Sequence, residues 1–357
     1  MSTTPNRERL GNHILGSLVA CALGDAMGAA TEQHTTAEIV QQYGGLLREL
    51  RTPSSETFSH GNQAGQITDD TSQMFALAEA LIATGGNLTE ADWIKALLHW
   101  AATSREAFAM GPTTRPLLEA LAAGKDTFAI GRSPTSTRKL TSFGTTNGAA
   151  MRIAPAGLVF PGDVERAVHL AWTTARPTHD TQIAAAGAGA IAGGVAHALM
   201  PDADVFSVTQ ACLEGARLGE ALGGKEGRRV PGPSIPRRIE LAVEEALRAA
   251  DLQHAVEGIE ATVGNSVMMV ESLPAAIGIF VAAKGDPVEA AVGGTNIGND
   301  TDTIAAMACS LAGALRGIAA IPGPLRNTLK SANSQDIPAL AEGLTAIAWQ
   351  RLNSEQR

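Results

Sequence analysis

Gly298-Asn299-Asp300-Thr301-Asp302-Thr303 leads directly into a small-residue, largely apolar run from Ile304 to Leu315. Within that run Ile304, Met307, Ala308 and Leu311 repeat at i, i+3, i+4 and i+7, the spacing of one helix face. Glycine adopts backbone angles that other residues resist. Gly298, with Gly293-Gly294 just upstream, therefore predicts a tight turn that presents acids where a helix begins. Asp300 and Asp302 stand two residues apart, with the Thr303 hydroxyl beside them. Carboxylates held this close repel unless positive charge lies between them, and a hard divalent cation meets that need. Thr68-Asp69-Asp70-Thr71 has the same form far upstream, ahead of a helix through Met74, Leu77, Ala78 and Leu81. The chain is expected to fold so that the two clusters meet around metal.

Working outward, helical periodicity dominates. Ile14, Leu15, Leu18 and Ala22 share a face, and further helices are expected at 90–101, 115–123, 163–174, 182–199, 205–221, 237–250, 253–262, 272–284, 287–292 and 337–352. No convincing strand alternation is present, so the expected class is all-α. Helix interiors are rich in Ala and Gly, as in Ala184–Gly194. Glycine costs about 1 kcal/mol there relative to alanine, which predicts backbones that approach closely in a large bundle. The least helical stretches are 44–68, 124–150 and 223–236, and long loops in compact helical folds tend to carry function. No linker divides the chain, so residues 1–357 are read as one domain.

Composition narrows the function classes. Net charge is -9 and aromatics are 4%, which argues against an extended nucleic-acid surface and against base-stacking platforms. Cys21, Cys212 and Cys309 are scattered without CxxC spacing, so a disulfide framework or zinc cage is not expected and a reducing cytoplasm fits. The polar start, Met1 to Arg9, makes a poor signal peptide. Ile183–Met200 is uncharged but mostly Ala and Gly, so no membrane span is expected. With no His and no thiolate beside the acids, the two clusters form an all-oxygen set for Mg²⁺, Mn²⁺ or Ca²⁺.

Other motifs carry both a structural and a functional reading. Gly24-Asp25-Ala26-Met27-Gly28 reads as a tight bend, with Asp25 more a capping or hydrogen-bonding group than a ligand and Glu32 a nearby acid. Asn147-Gly148, ahead of Arg152, could place backbone N–H groups against a phosphate or simply start a helix. His179, between Thr178 and Asp180, opens the Ala/Gly helix and is ordinarily a structural hydrogen-bonding group there. Arg228, Arg229, Arg237 and Arg238 flank Pro231-Gly232-Pro233-Ser234, a stiff basic loop that could hold phosphate or lie on solvated surface.

Taken together in order, Gly24–Glu32 (GDAMGAATE), Ile67–Thr71 (ITDDT), Asn147–Pro155 (NGAAMRIAP), Thr178–Asp180 (THD) and Gly298–Thr303 (GNDTDT) resemble the ADP-ribosylglycohydrolase family. The resemblance implies a large orthogonal helical bundle with two divalent cations, Mg²⁺ or Mn²⁺, in a cleft. It implies that Thr68, Asp69 and Asp70 hold one ion, that Asp300 and Thr303 hold the other, and that Asp302 bridges. It further implies that Glu32 gates the site or assists proton transfer, and that Asn147, Gly148 and His179 line the ADP-ribose pocket. The family often has a second Gly where Asn299 stands. The stretch around Thr135–Thr146 and the Pro/Arg loop at 228–238 match nothing in it, and leaving-group specificity is expected there.

The implied activity is metal-dependent hydrolysis of the C1 glycosidic bond of an ADP-ribosyl group on protein, or of a related N-ribosyl compound. One alternative is an N-glycosidase acting on a free nucleoside or nucleotide. Others are a non-catalytic, crystallin-like member and a two-metal phosphoesterase, though phosphoesterase sites commonly add His.

Overall fold

The structure is a computed structural model that describes residues 6–127 and 129–355. The first five residues of the polar start, Met1–Arg9, lie outside that set. Sixteen α-helices make up the described chain. In order they are α1 (Arg7–Gly28), α2 (Thr36–Tyr43), α3 (Asp69–Ala83), α4 (Glu90–Thr103), α5 (Thr114–Ala122), α6 (Ala154–Leu158), α7 (Val164–Ala175) and α8 (Gln182–Ala198). They continue with α9 (Val205–Glu226), α10 (Ile235–Arg248), α11 (Leu252–Val263), α12 (Met269–Ala282), α13 (Pro287–Asn296), α14 (Thr301–Arg316), α15 (Gly323–Ala332) and α16 (Ile337–Glu355). Among the described residues there is no strand, only isolated bridges such as Thr146 with Met268, so the all-α class holds.

Short polar residues set where these helices begin. Thr35, Thr89 and Asp204 close capping boxes at α2, α4 and α9, each satisfying backbone donors that a helix start leaves open. The core is densest where α1 lies against α14 and α8 against α9. Both pairs depend on missing side chains. A Cβ on Gly24 would stand 2.4 Å from the Ala305 carbonyl oxygen, and one on Gly219 would stand 2.2 Å from that of Ala185. The glycine cost in a helix is thereby offset by close backbone packing.

Three expectations need correction. Gly24–Gly28 is no bend: it forms the last turn of α1, and its glycines serve contact with α14. Gly293-Gly294 lies inside α13, not in the turn after it, and Gly294 abuts Ala305. The 223–236 stretch is helical through Glu226, which shortens that loop to 227–234. Helices α2, α6 and α15 fall outside the expected segments; α2 and α15 each bury a single residue, Ile39 and Leu329, which gives little periodicity to read.

Candidate active site

The start of α3 is held mainly by side chains. Thr68 is its N-cap, accepting from the Asp70 amide at 3.3 Å. Asp25, fully buried in α1, accepts from the Thr68 amide at 3.0 Å and from the Thr71 amide at 3.1 Å. A carboxylate from one helix thus caps another, bearing out the hydrogen-bonding reading of Asp25. Asp69 and Asp70 occupy the first turn, where the helix dipole favours negative charge. Asp69 Oδ2 accepts from Gln73 Nε2 at 2.9 Å.

The start of α14 is held mainly by backbone. Gly298 (φ 81°) and Asn299 (φ 59°) both take the left-handed conformation, as the turn reading requires. The Asn299 amide donates to the His34 carbonyl, and its own carbonyl accepts from the Gln33 amide, each at 2.8 Å. Gly28 lies so close that a Cβ there would stand 2.5 Å from the Asp302 amide nitrogen. Thr301 Oγ1 donates to the Gly28 carbonyl at 2.8 Å, tying the helix start to the end of α1. Asp300 accepts from Thr303 Oγ1 at 3.1 Å and from the Asn147 side-chain amide.

The two starts border one cleft of about 750 Å³, which Glu32, Asp69, Asp70, Asp300, Asp302 and Thr303 line. The acids brought together do not ionise easily. Burial, then the charges of Asp300, Asp69 and Asp25, push Glu32 up to about 8. Burial, then Asp25 and Asp300, push Asp69 up to about 7. Burial raises Asp300 to about 6 against the hydrogen bonds from Asn147 and Thr303. Asp70 and Asp302 are raised well above the usual carboxylate range, by burial first and by their acidic neighbours next. Asp70 Oδ1 is buried without a hydrogen-bond partner. Among the described residues no three His, Cys, Asp or Glu close into a ready-made metal cage. The acids form an open wall instead.

The floor of the cleft, beside Asp300, is the 3₁₀ turn Asn147–Ala149. The Asn147 amide reaches both Asp300 and Ser272 Oγ, so this floor is fastened to α12 and to the start of α14. Gly148 lines the cleft, but His179 does not. His179 is fully buried behind the floor, and a Cβ on Gly148 would stand 3.0 Å from its Cε1. Its place is support, not pocket wall. Arg152 is likewise fully buried, bonded to Gln73 and Thr178, and offers no open anion site. The basic loop holds structure as well: Arg228 bonds the Phe143 carbonyl and Asp180, Arg229 the Gly224 carbonyl, Arg237 pairs with Glu240, and Arg238 bonds the Val263 carbonyl.

The mouth of the cleft carries residues that sequence reading missed. Phe58 and Phe108 line it while 65% and 54% exposed, and Met110 and Val267 join them. Phe58, in the loop ahead of Thr68, was the available signal; Phe108 lies in the 3₁₀ helix Arg105–Ala109, far in sequence from either acid cluster. Of the 124–147 loop, only Thr146 and Asn147 reach the cleft among the described residues.

Comparison with known proteins agrees with this fold. The chain is 33% identical over 344 residues to the uncharacterized protein YegU of Escherichia coli K12, covering 95% of this chain and 98% of that one. It is 28% identical over 339 residues to the ADP-ribosyl-[dinitrogen reductase] glycohydrolase of Rhodospirillum rubrum, covering 94% and 96%. A solved structure of an ADP-ribosylglycohydrolase-related protein complex superposes with a TM-score of 0.66 at 25% identity, covering 96% of this chain and 99% of that one. Fold and cleft together define an all-α glycohydrolase. The chain belongs to the ADP-ribosylglycohydrolase family, whose profile matches residues 5–353. No helix among the described residues is long and apolar enough to cross a membrane.

Proposed function

We propose that the chain hydrolyses the C1 glycosidic bond of an ADP-ribosyl substrate, with two divalent cations, Mg²⁺ or Mn²⁺, in the cleft between the starts of α3 and α14. The observation that carries this reading is the acid wall itself: buried carboxylates raise one another, and Asp70 Oδ1 has no protein partner. Such a set fits hard cations and fits poorly with any role in stability alone. Thr68, Asp69 and Asp70 would hold one ion, Asp300 and Thr303 the other, and Asp302 both. Bound ions of this kind supply charge neutralisation, a grip on vicinal hydroxyls and a more acidic water.

The chain's own residues do the rest. Asn147, fixed by Ser272, holds Asp300 at a set angle to the cleft. Gly148 has no Cβ to press on His179, so the floor packs closely against the imidazole behind it. Glu32, the acid raised to about 8, stands at the wall and exchanges a proton at its carboxyl oxygen with the attacking water. Holding sugar and water in one geometry removes much of the entropic barrier.

A second substrate class has a specific observation behind it. The apolar mouth formed by Phe58, Phe108 and Val267 suits a planar base as leaving group, so a free nucleoside or nucleotide is the alternative to an ADP-ribosylated protein. ADP-ribosyl-arginine, ADP-ribosyl-serine and a nucleoside panel, each assayed with Mg²⁺, Mn²⁺ or EDTA, separate the two. Asp302→Ala is expected to abolish hydrolysis while circular dichroism stays helical. Full activity in that variant would remove the bridging assignment.

A further inference from the structure

A buried hydrogen-bond chain runs from the acid wall to the back of the floor. Gln73 Nε2 donates to Asp69 Oδ2 at 2.9 Å, and Arg152 Nη1 donates to Gln73 Oε1 at 2.8 Å. Arg152 Nη2 donates to Thr178 Oγ1 at 2.9 Å, which in turn bonds His179 Nδ1 at 2.8 Å. His179 Nε2 bonds Thr146 Oγ1 at 2.9 Å, one residue before Asn147. Gln73, Arg152 and His179 are fully buried, and Asp69, Thr178 and Thr146 nearly so. Water therefore does not compete for these bonds, and each is stronger than its exposed equivalent.

The order of the residues is chemically specific. A glutamine amide has one donor end and one acceptor end, and here they face a carboxylate and a guanidinium; either group in place of the other would lose both bonds. Gln73 also separates Arg152 from Asp69. A direct arginine–carboxylate pair would occupy the acid bidentately and compete with a cation for it. With the amide between them, Arg152 steadies Asp69 while the acid still faces the cleft. Arg152 is itself held over the Trp93 ring, 5.4 Å from its centroid, so its position is set on several sides. At the far end, burial and the Arg152 charge keep His179 neutral, which leaves it one donor and one acceptor to pass the order along.

We infer that Arg152 is a positioning residue that couples Asp69 of the acid wall to the floor of the cleft, fixing Asp69 through Gln73 and the floor at Thr146–Gly148 through Thr178 and His179. Cation loading at Asp69 is then felt at His179, across residues that touch neither substrate nor ion. This inference rests on the cation site proposed above, and the test separates the two. Imidazole ¹⁵N resonances of the whole chain are recorded with and without Mg²⁺, the His179 signals being assigned by their loss in His179→Gln. Mg²⁺ binding is measured in parallel by calorimetry.

The expected result is that Mg²⁺ shifts the His179 resonances in the unaltered chain. Gln73→Met and Thr178→Val should each abolish that shift. Gln73→Met should also weaken Mg²⁺ about tenfold, the scale of losing a group that orients a ligand. Arg152→Lys, which keeps the charge but not the fork, should retain the fold and lose the shift. If Mg²⁺ binds and His179 does not respond, or responds equally in Gln73→Met and Thr178→Val, the coupling is overturned. If the unaltered chain binds neither Mg²⁺ nor Mn²⁺, the cation site fails, and the chain of bonds is judged without metal. A His179 resonance moved by Gln73→Met then supports the coupling, and one left in place ends it.

Discussion

The starts of α3 and α14 carry nearly the same signature, acids and threonines at a first turn, yet they are positioned by different means. At α3 the geometry is imposed by polar side chains: Asp25 caps the helix from α1, and Gln73 steadies Asp69. At α14 it is imposed by shape: a left-handed turn at Gly298-Asn299 and a backbone contact at Gly28 that leaves no room for a methyl group. One start is tuned by hydrogen bonds, which weaken by degrees, and the other by steric fit, which does not.

The largest expected effect is therefore at a residue with no chemistry. Gly28→Val places a branched side chain where even a Cβ would sit 2.5 Å from the Asp302 backbone. Overpacking of this kind costs about 3 kcal/mol, and it moves Asp302 directly. Urea unfolding should show the loss, and glycosidic activity should fall roughly 1000-fold, equivalent to about 4 kcal/mol of barrier. A folded, active Gly28→Val would break the claim that shape sets the α14 start.

Asp25→Asn probes the other start and should do less. Asparagine keeps the volume but turns an NH₂ toward amides that need an acceptor, a loss of about 1–3 kcal/mol. Removing a buried negative charge beside Asp69 and Glu32 works in the opposite direction. The expected outcome is weaker activity, by about tenfold to a hundredfold, with a smaller change in unfolding midpoint than Gly28→Val. Equal destabilisation by the two variants would erase the distinction between the starts.

The pH dependence of the cation-free chain sharpens the contrast. Glu32 at about 8 and Asp69 at about 7 hold protons in the folded state that the unfolded chain releases near its ordinary values of 4.5 and 3.8. The folded state therefore binds more protons across that window, so stability falls as pH rises through it. His179 runs the other way: its pKa is pushed well below 6.5 by burial and Arg152, so stability falls as pH drops below 6.5. In EDTA, the melting temperature should decline from about pH 6.5 toward pH 8, and Mg²⁺ should restore more at the upper end. His179→Gln should steepen the rise in melting temperature on acidification below pH 6.5 and leave the alkaline side unchanged. A melting temperature in EDTA that does not fall toward pH 8 would contradict the repulsion assigned to the wall.

Much of this was legible in the sequence, for reasons that also mark the limit. The i, i+3, i+4 pattern of Ile304, Met307 and Ala308 depends only on neighbours in the chain, and α14 begins where the turn predicts. The acid clusters were legible because two similar charges close together demand an explanation wherever they lie. Gly24–Gly28 was misread because glycine marks either a bend or a close contact, and only the partner helix decides between them. His179 was placed in the pocket by the family resemblance alone, against its own structural reading: a polar residue in a motif does not reveal whether it faces a cavity or the core behind it. The Asp69–Gln73–Arg152 chain joins residues up to 83 positions apart, as the numbering of its ends shows, and no local pattern announces it.

The smallest effect is expected at Asn299, and it tests the steric argument in its mildest form. The residue sits at φ 59°, where a side chain carries strain that asparagine tolerates better than most. Asn299→Gly relieves that strain but gives the unfolded chain more freedom, and the two terms, each about 0.5–1 kcal/mol, nearly cancel. Asn299→Val adds a β-branch at a left-handed position and should cost about 1–2 kcal/mol. At the N-cap of α3, by contrast, Thr68 has φ -105°, an angle open to any residue, so Thr68→Val loses a cap and incurs no backbone strain. The discriminating measurement is the set Asn299→Gly, Asn299→Val and Thr68→Val in urea. If shape governs α14, the first is near neutral although it removes a whole side chain, while both valine variants are destabilised, one by strain and the other by the lost cap. If Asn299→Gly is instead as harmful as Asn299→Val, the side chain itself holds the turn, and α14 is positioned by hydrogen bonds after all.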